Sequence, residues 1–167
     1  QQIVGDGNCG FRSLSWALTG TEVNHDDIRQ DIMNFVEDTL NQYDIDSEGN
    51  DWWEMFFSER AAVIDHTSQK KNPAQNASEV NKWMNEFDAF AFSKLFKINI
   101  IICTTKENKM FWQIFTPTMN KSLLNWEQAE GRPSVFVYNS LNHYEVIVDP
   151  IKTSQFGLSG RGVVGFL

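Results

Sequence analysis

Cysteine and histidine are the side chains in this sequence whose placement suggests catalysis. Cys9 follows a glycine-rich stretch, residues 5–8, and precedes an apolar-periodic segment, so we expect it at the start of a helix. The unpaired N–H groups and partial positive charge of a helix N-terminus stabilise a thiolate, the nucleophilic form of cysteine. Gly5 and Gly7 would let backbone amides approach a developing oxyanion. The alternative is that Cys9 is an inert, buried apolar residue.

A nucleophilic cysteine needs a base, and histidine is suited to that task near neutral pH. The sequence has three histidines. We expect His25, in the first turn of a helix, and His66, in a polar loop, to be solvated. His143 stands instead at a boundary between a turn and a strand, where a side chain can point into a cleft. It is therefore the candidate base, although a strand histidine is often structural.

A third side chain usually fixes the orientation and tautomer of a catalytic imidazole. Glu145 is two residues after His143 and would project from the same face of a strand. Asp6, in the glycine-rich loop, could take this role or could contribute its N–H group to an oxyanion hole. Asn139 and Asn142 are further candidates, so the residues alone leave the orienting group open.

Apolar periodicity predicts the helices that would position these residues. A first helix is expected from about Cys9 to Thr19, and a second, capped by Asn24, carries apolar residues as far as Leu40. The aromatic run at 52–57 predicts a short third helix, with core packing favoured over an exposed platform for a protein substrate.

The middle of the chain contains one further predicted helix and one predicted loop. Residues 65–77 are polar and indicate a loop in which Lys70 and Lys71 are solvated. Ser78 is the expected cap of a helix that carries apolar residues as far as Leu95.

Four runs rich in β-branched and aromatic residues predict strands. They lie at 98–103, 110–115, 134–138 and 143–148; the first is expected to be central and the last two to form a hairpin. Cys103 is then a core residue at a strand end. Because helices come first and strands later, the predicted fold class is α+β, with helices packed on a small mixed or antiparallel sheet.

Length, charge and cysteine content limit the function classes. The 167 residues fit a single domain, 1–167, with 157–167 as a tail or linker. A net charge of −8 argues against nucleic-acid binding and favours a neutral or basic protein partner. Two cysteines without metal or disulfide spacing predict no metal and a reducing compartment, cytoplasmic or nuclear. No apolar stretch suggests a membrane partner.

Two blocks of the sequence resemble the signature blocks of the ovarian tumour (OTU) family of cysteine proteases. They are residues 6–14, DGNCGFRSL, and residues 142–147, NHYEVI. The stretch 83–91 keeps the outline of the family's tryptophan followed by an apolar helix. The resemblance implies a papain-like, OTU-type fold without cofactors, and a deubiquitinase that cleaves ubiquitin from proteins or from ubiquitin chains.

The resemblance also implies a role for each matching residue. Cys9 would be the nucleophile, His143 the general base and acid, and Asp6 the acidic member of the first block. The backbone amides of Asp6, Gly7 and Cys9 would line the oxyanion hole. The family often has Asp or Asn where this chain has Glu145, so Glu145 and Asp6 remain alternative orienting residues. The implied partner is ubiquitin, polyubiquitin or a ubiquitin-like protein, and we expect the protein to be a monomer.

Two other functions stay open at this point. One is a catalytically silent OTU-like module that binds ubiquitin or another protein through its aromatic surface. The other is a protease that processes its own polyprotein, which the start at Gln1 and the Gly-Arg-Gly sequence at 160–162 would suit.

Overall fold

The computed structural model of the chain describes residues 1–42, 52–107, 109–118, 132–140 and 143–147. The helices in these ranges are α1 (Cys9–Thr19), α2 (His25–Gln42), α3 (Arg60–Lys70) and α4 (Glu86–Phe96). The strands are β1 (Asn99–Lys106), β2 (Lys109–Phe115), β3 (Ser134–Ser140) and β4 (His143–Val146). Short 3₁₀ helices occur at Trp52–Met55 and Val80–Lys82. The predicted tail, 157–167, lies outside the described residues.

The described strands form one mixed sheet with the order β2-β1-β3-β4. β1 is antiparallel to β2 and parallel to β3, and β3 is antiparallel to β4. β1 is central, as predicted, and the run Ile100 to Cys103 is buried, as expected for a strand covered on both faces. The predicted α+β arrangement and the antiparallel pairing of the last two strands are therefore confirmed.

The prediction of a loop over residues 65–77 was wrong in its first part. Residues 60–70 form α3, and the side chain of Lys70 is buried at 3% exposure instead of solvated. Besides Lys70, the buried face of this helix consists of Val63 and Thr67. With a single aliphatic residue on that face, α3 has no apolar periodicity for a sequence analysis to detect.

The predicted start of the last helix was also wrong. Asn85, and not Ser78, is the N-cap of α4. The backbone N–H of Asp88 donates to Asn85 Oδ1 at 3.2 Å, and the backbone N–H of Asn85 donates to Asp88 Oδ2 at 2.9 Å. This reciprocal capping box satisfies two helix-end donors, and Ser78 has no equivalent.

The aromatic run at 52–57 packs into the core, in agreement with the favoured prediction. Trp52 is 6% exposed, stacks on Phe87 with ring centroids 5.3 Å apart, and meets Phe90 edge-on at 5.3 Å. Phe56 contacts the same two rings and also Phe115 of β2. The 3₁₀ segment thus closes the core between α4 and the sheet.

A buried charge cluster joins α3 to α4. Asp88 is fully buried, and its two carboxylate oxygens lie 2.6 Å from Lys70 Nζ and 2.8 Å from His66 Nε2. The expectation that His66 is solvated was therefore wrong. Burial raises the pKa of Asp88, but the Lys70 ammonium and the His66 hydrogen bond outweigh it and lower the pKa to about 2. The cluster fixes α3 against the first turn of α4.

The substitution Asp88→Asn is expected to lower the free energy of unfolding at neutral pH by about 3–5 kcal/mol, because it leaves the buried Lys70 ammonium without its carboxylate. The folded pKa of Asp88, about 2, lies below the value near 4 of an unfolded aspartate. Its stabilisation is therefore complete above about pH 4 and is lost as the pH falls through about 2.

Urea unfolding across this pH range measures both effects. Asp26→Asn is the control, because the Asp26 carboxylate is 53% exposed where it contacts His25. Equal unfolding midpoints for the two variants at neutral pH would contradict the prediction.

Candidate active site

The segments that carry Cys9 and His143 come from distant parts of the chain and come into contact where α1 begins. Cys9 is the first residue of α1, and His143 is the first residue of β4. The backbone N–H of Tyr144 donates to Cys9 Sγ at 3.5 Å. The fold therefore brings the two chemically suggestive sequence blocks into direct contact.

The imidazole of His143 lies between the glycine-rich loop and the side chain of Glu145. A methyl group on Gly5 would lie 3.6 Å from His143 Nδ1, whereas His143 Nε2 is 3.8 Å from Glu145 Oε1. The side chains of His143 and Glu145 are 31% and 40% exposed, so a substrate could reach this edge of the sheet. One ring nitrogen faces the loop that carries Cys9, and the other faces an acid.

The carboxylate of Asp6 is engaged by other groups. It accepts three N–H contacts from Arg12 of α1, the shortest at 2.6 Å, and one from the backbone of Asn8 at 2.9 Å. Burial raises the pKa of Asp6, but these hydrogen bonds outweigh burial and lower the pKa to about 2. Within the described ranges this carboxylate has no hydrogen bond or ion pair with His143. Asp6 thus ties the loop to α1.

The surroundings of Cys9 act on the pKa of its thiol in opposite directions. Burial raises the pKa, the N–H groups of Tyr144 and Gly10 lower it by hydrogen bonding to the sulfur, and the charge of Asp6 raises it. The net pKa is raised, contrary to the expectation of a helix-stabilised thiolate, because the sulfur is buried. A buried thiol needs a nearby base to ionise, and an imidazole can be that base.

Two residues that hold the loop were not identified from the sequence. Arg12 lies one helical turn after Cys9, and this spacing is the sequence feature that could have predicted its contact with the loop. Asn8 turns its side chain inwards: its Oδ1 accepts from the N–H of Ala74 at 2.9 Å, and its Nδ2 donates to the carbonyl of Ala74 at 3.0 Å. No local pattern connects positions so far apart in the sequence.

Both the backbone conformation and the close packing of this loop require a glycine, and Gly7 supplies it. Its φ of +88° lies in the left-handed region. A methyl group here would also lie 3.0 Å from the carbonyl oxygen of Asn76 and 3.1 Å from both Ala74 Cβ and Trp83 Nε1. The loop before Cys9 therefore packs directly against the segment that precedes α4.

The other candidates from the sequence lie apart from this contact or outside the described residues. Asn139 pairs with Tyr144 in the sheet, and its buried side-chain oxygen has no hydrogen-bond partner in the part of the chain that the structure describes. Asn142 is not among the described residues. Cys103 is buried in β1. His25 is 12% exposed and contacts Asp26, so the expectation that it is solvated was wrong.

The described ranges hold neither a candidate metal site nor a helix that could span a membrane. These residues contain no group of three or more His, Cys, Asp and Glu side chains that could hold a metal ion. None of their helices combines the length and apolar character that a membrane span requires.

Comparison with known proteins gives a consistent result over most of the chain. The sequence model of a family described as OTU-like cysteine protease matches residues 4–144. No curated protein sequence matches significantly. Among solved structures, the OTU domain of OTUD1 is similar with a TM-score of 0.60 and 17% identity, over 89% of this chain and 84% of that one.

Two further solved structures show the same similarity. The viral OTU domain protease from Dera Ghazi Khan virus has a TM-score of 0.58 and 17% identity, over 87% of this chain and 77% of that one. An OTU deubiquitinase from Wolbachia pipientis wMel bound to ubiquitin has a TM-score of 0.56 and 17% identity, over 89% and 93%. These similarities confirm the predicted OTU-type α+β fold.

The substitution Gly7→Ala tests the packing of the loop, with Gly20→Ala as its matched control. Both glycines have positive φ, but a methyl group on Gly20 would meet nothing within 4 Å. Backbone strain should cost about 1 kcal/mol at either position. Overpacking should add about 1–3 kcal/mol at Gly7. Thermal unfolding of both variants measures the difference, and equal losses would refute the close contact.

Proposed function

The chain belongs to the family of OTU-like cysteine proteases, and from this membership we propose that it is a deubiquitinase. It hydrolyses the bond between the C-terminal glycine of ubiquitin and a lysine amine. The observation that carries the proposal is the contact of Tyr144 N–H with Cys9 Sγ, which brings the segment that contains His143 to the loop that carries the sulfur. Similar OTU structures from Wolbachia pipientis wMel and Hazara virus are bound to ubiquitin, which supports this partner.

The proposed reaction is acyl transfer in two steps. His143 takes the proton of the Cys9 thiol, and the thiolate attacks the carbonyl carbon of the ubiquitin glycine. The amides of Asp6, Gly7 and Cys9 stabilise the oxyanion, and His143 protonates the departing lysine amine as the thioester forms. A water molecule deprotonated by His143 then releases ubiquitin and restores the thiol.

Within this proposal Glu145 orients the imidazole and Asp6 holds the loop. His143 Nε2 faces Glu145 Oε1 at 3.8 Å, and a carboxylate there stabilises the imidazolium that forms during the reaction. The carboxylate of Asp6 is occupied by Arg12 and by the N–H of Asn8. Its contribution to the oxyanion hole is through its backbone.

A ubiquitin with a thiol-reactive group at its C-terminus tests the nucleophile. We expect the wild type to form a covalent adduct and Cys9→Ala to form none, because the sulfur is the attacking atom. Cys103→Ala is the matched control, since it removes the other free, buried cysteine and should still give the adduct. His143→Ala should abolish hydrolysis of ubiquitin chains while its circular dichroism stays that of the wild type.

Three outcomes would count against this function. A folded wild type that binds ubiquitin without forming the adduct would indicate a catalytically silent module. A wild type that neither binds nor reacts would exclude ubiquitin as the substrate. Cleavage of a longer precursor without cleavage of ubiquitin would indicate a protease that processes its own polyprotein.

Glu145→Gln and Asp6→Asn distinguish the two acidic residues. Glu145→Gln should lower kcat on the order of tenfold or more, with KM and melting temperature unchanged, because only the imidazole loses its partner. Asp6→Asn should lower the melting temperature together with kcat, because it releases Arg12 from the loop. Wild-type kcat in Glu145→Gln, with a large loss in a fully stable Asp6→Asn, would reverse the assignment.

A further inference from the structure

Arg29 of α2 is a fully buried cation next to the loop that carries Cys9. Its exposure is 0%, and in the described ranges it forms no ion pair with a carboxylate. Burial lowers its pKa to about 10, against the opposing effect of more distant acids. An apolar side chain of similar volume at this buried position could leave the free energy of unfolding unchanged or raise it. The guanidinium therefore calls for an explanation beyond core packing.

The guanidinium of Arg29 connects several parts of the chain at one point. One terminal nitrogen donates to the carbonyl of Lys70 at 3.3 Å and to the carbonyl of Lys82 at 3.0 Å. The other donates to Asn8 Oδ1 at 2.7 Å. The central carbon lies 3.8 Å from the centroid of the Phe11 ring, a cation–π contact. The ends of α1 and α3 and the segment before α4 are all held by this one side chain from α2.

Asn8 connects the guanidinium of Arg29 to the nucleophile Cys9. It is the N-cap residue immediately before Cys9, but its side chain makes no capping hydrogen bond, because it points into the protein. Its Oδ1 accepts from both Arg29 and the N–H of Ala74, and its Nδ2 donates to the carbonyl of Ala74. Both ends of the amide are used, so Asn8 cannot turn without breaking these bonds.

We propose that Arg29 is a positioning residue for the reaction. By holding Asn8, it fixes the backbone amides of Gly7 and Cys9 and the first turn of α1 in one geometry. The inference rests on the proposed function, because that geometry matters for an oxyanion and a nucleophilic sulfur. A displacement of about 1 Å at a reacting centre can cost on the order of 100-fold in rate. Arg29 should therefore act on kcat and not on ubiquitin affinity.

The variants Arg29→Met, Asn8→Ala and their double mutant test this role. With ubiquitin carrying a fluorogenic amide at its C-terminus, each single variant should lose on the order of 10- to 100-fold in kcat, with KM within about twofold. The double mutant should lose no more than the worse single variant, because both act through one contact. The control is Arg60→Met, which removes a guanidinium that donates to the carbonyl of Leu40, away from the loop.

Arg29→Lys keeps the experiment decisive if Arg29→Met fails to fold. Lysine keeps the charge but lacks the planar fork that reaches Asn8 and two carbonyls at once. We expect a loss in kcat smaller than that of Asn8→Ala but larger than that of Arg60→Met. A kcat equal to that of Arg60→Met, or fully additive losses in the double mutant, would overturn the inference.

Hydrogen exchange at the Ala74 amide is a second readout that needs no substrate. This N–H donates to Asn8 Oδ1, so its exchange should accelerate at least about tenfold in the Arg29 and Asn8 variants and stay unchanged in Arg60→Met. Unchanged exchange in Arg29→Met would show that Arg29 does not hold the loop. A wild type that cleaves no ubiquitin would instead refute the proposed function, and the exchange rates would still decide the role of Arg29 in the loop.

Discussion

The contact between the Tyr144 N–H and Cys9 Sγ joins residues that are 135 positions apart, and most of the fold maintains it. β4 reaches the sulfur because it pairs with β3, which in turn pairs with the central strand β1. On the other side, α1 presents the sulfur because the glycine-rich loop is fixed at its N-terminus. A shift in either the sheet edge or the loop would break the contact between the sulfur and the strand that carries His143.

The loop is supported by polar contacts as much as by apolar packing. Arg29 holds Asn8 and the carbonyl of Lys70, while the ammonium of Lys70 pairs with Asp88 at the first turn of α4. Lys70 therefore links the buried guanidinium of Arg29 behind the loop to the buried charge cluster between α3 and α4. The hydrogen bonds of these side chains offset part of the cost of burying their charges and give the region a specific geometry.

Sequence analysis succeeded where the signal is local. Periodicity predicted α1 and α2, and runs of β-branched and aromatic residues predicted the strands. The two signature blocks identified the family, with Cys9 and His143 as candidates. It failed for α3, the cap at Asn85 and the buried positions of Lys70 and His66, and it did not identify Arg29. These features depend on partners far away in the chain, and a polar residue that is buried by such partners looks in sequence like a solvated one.

The order of the two blocks has a consequence for biosynthesis. A ribosome delivers the sulfur of Cys9 with the first helix, whereas β4 follows only after the other described helices and strands. Because domains fold as units and distant contacts form late, the thiol of Cys9 would not meet the edge strand until the helices and strands between them have been synthesised. The order of translation itself would therefore delay any reactivity that needs both segments.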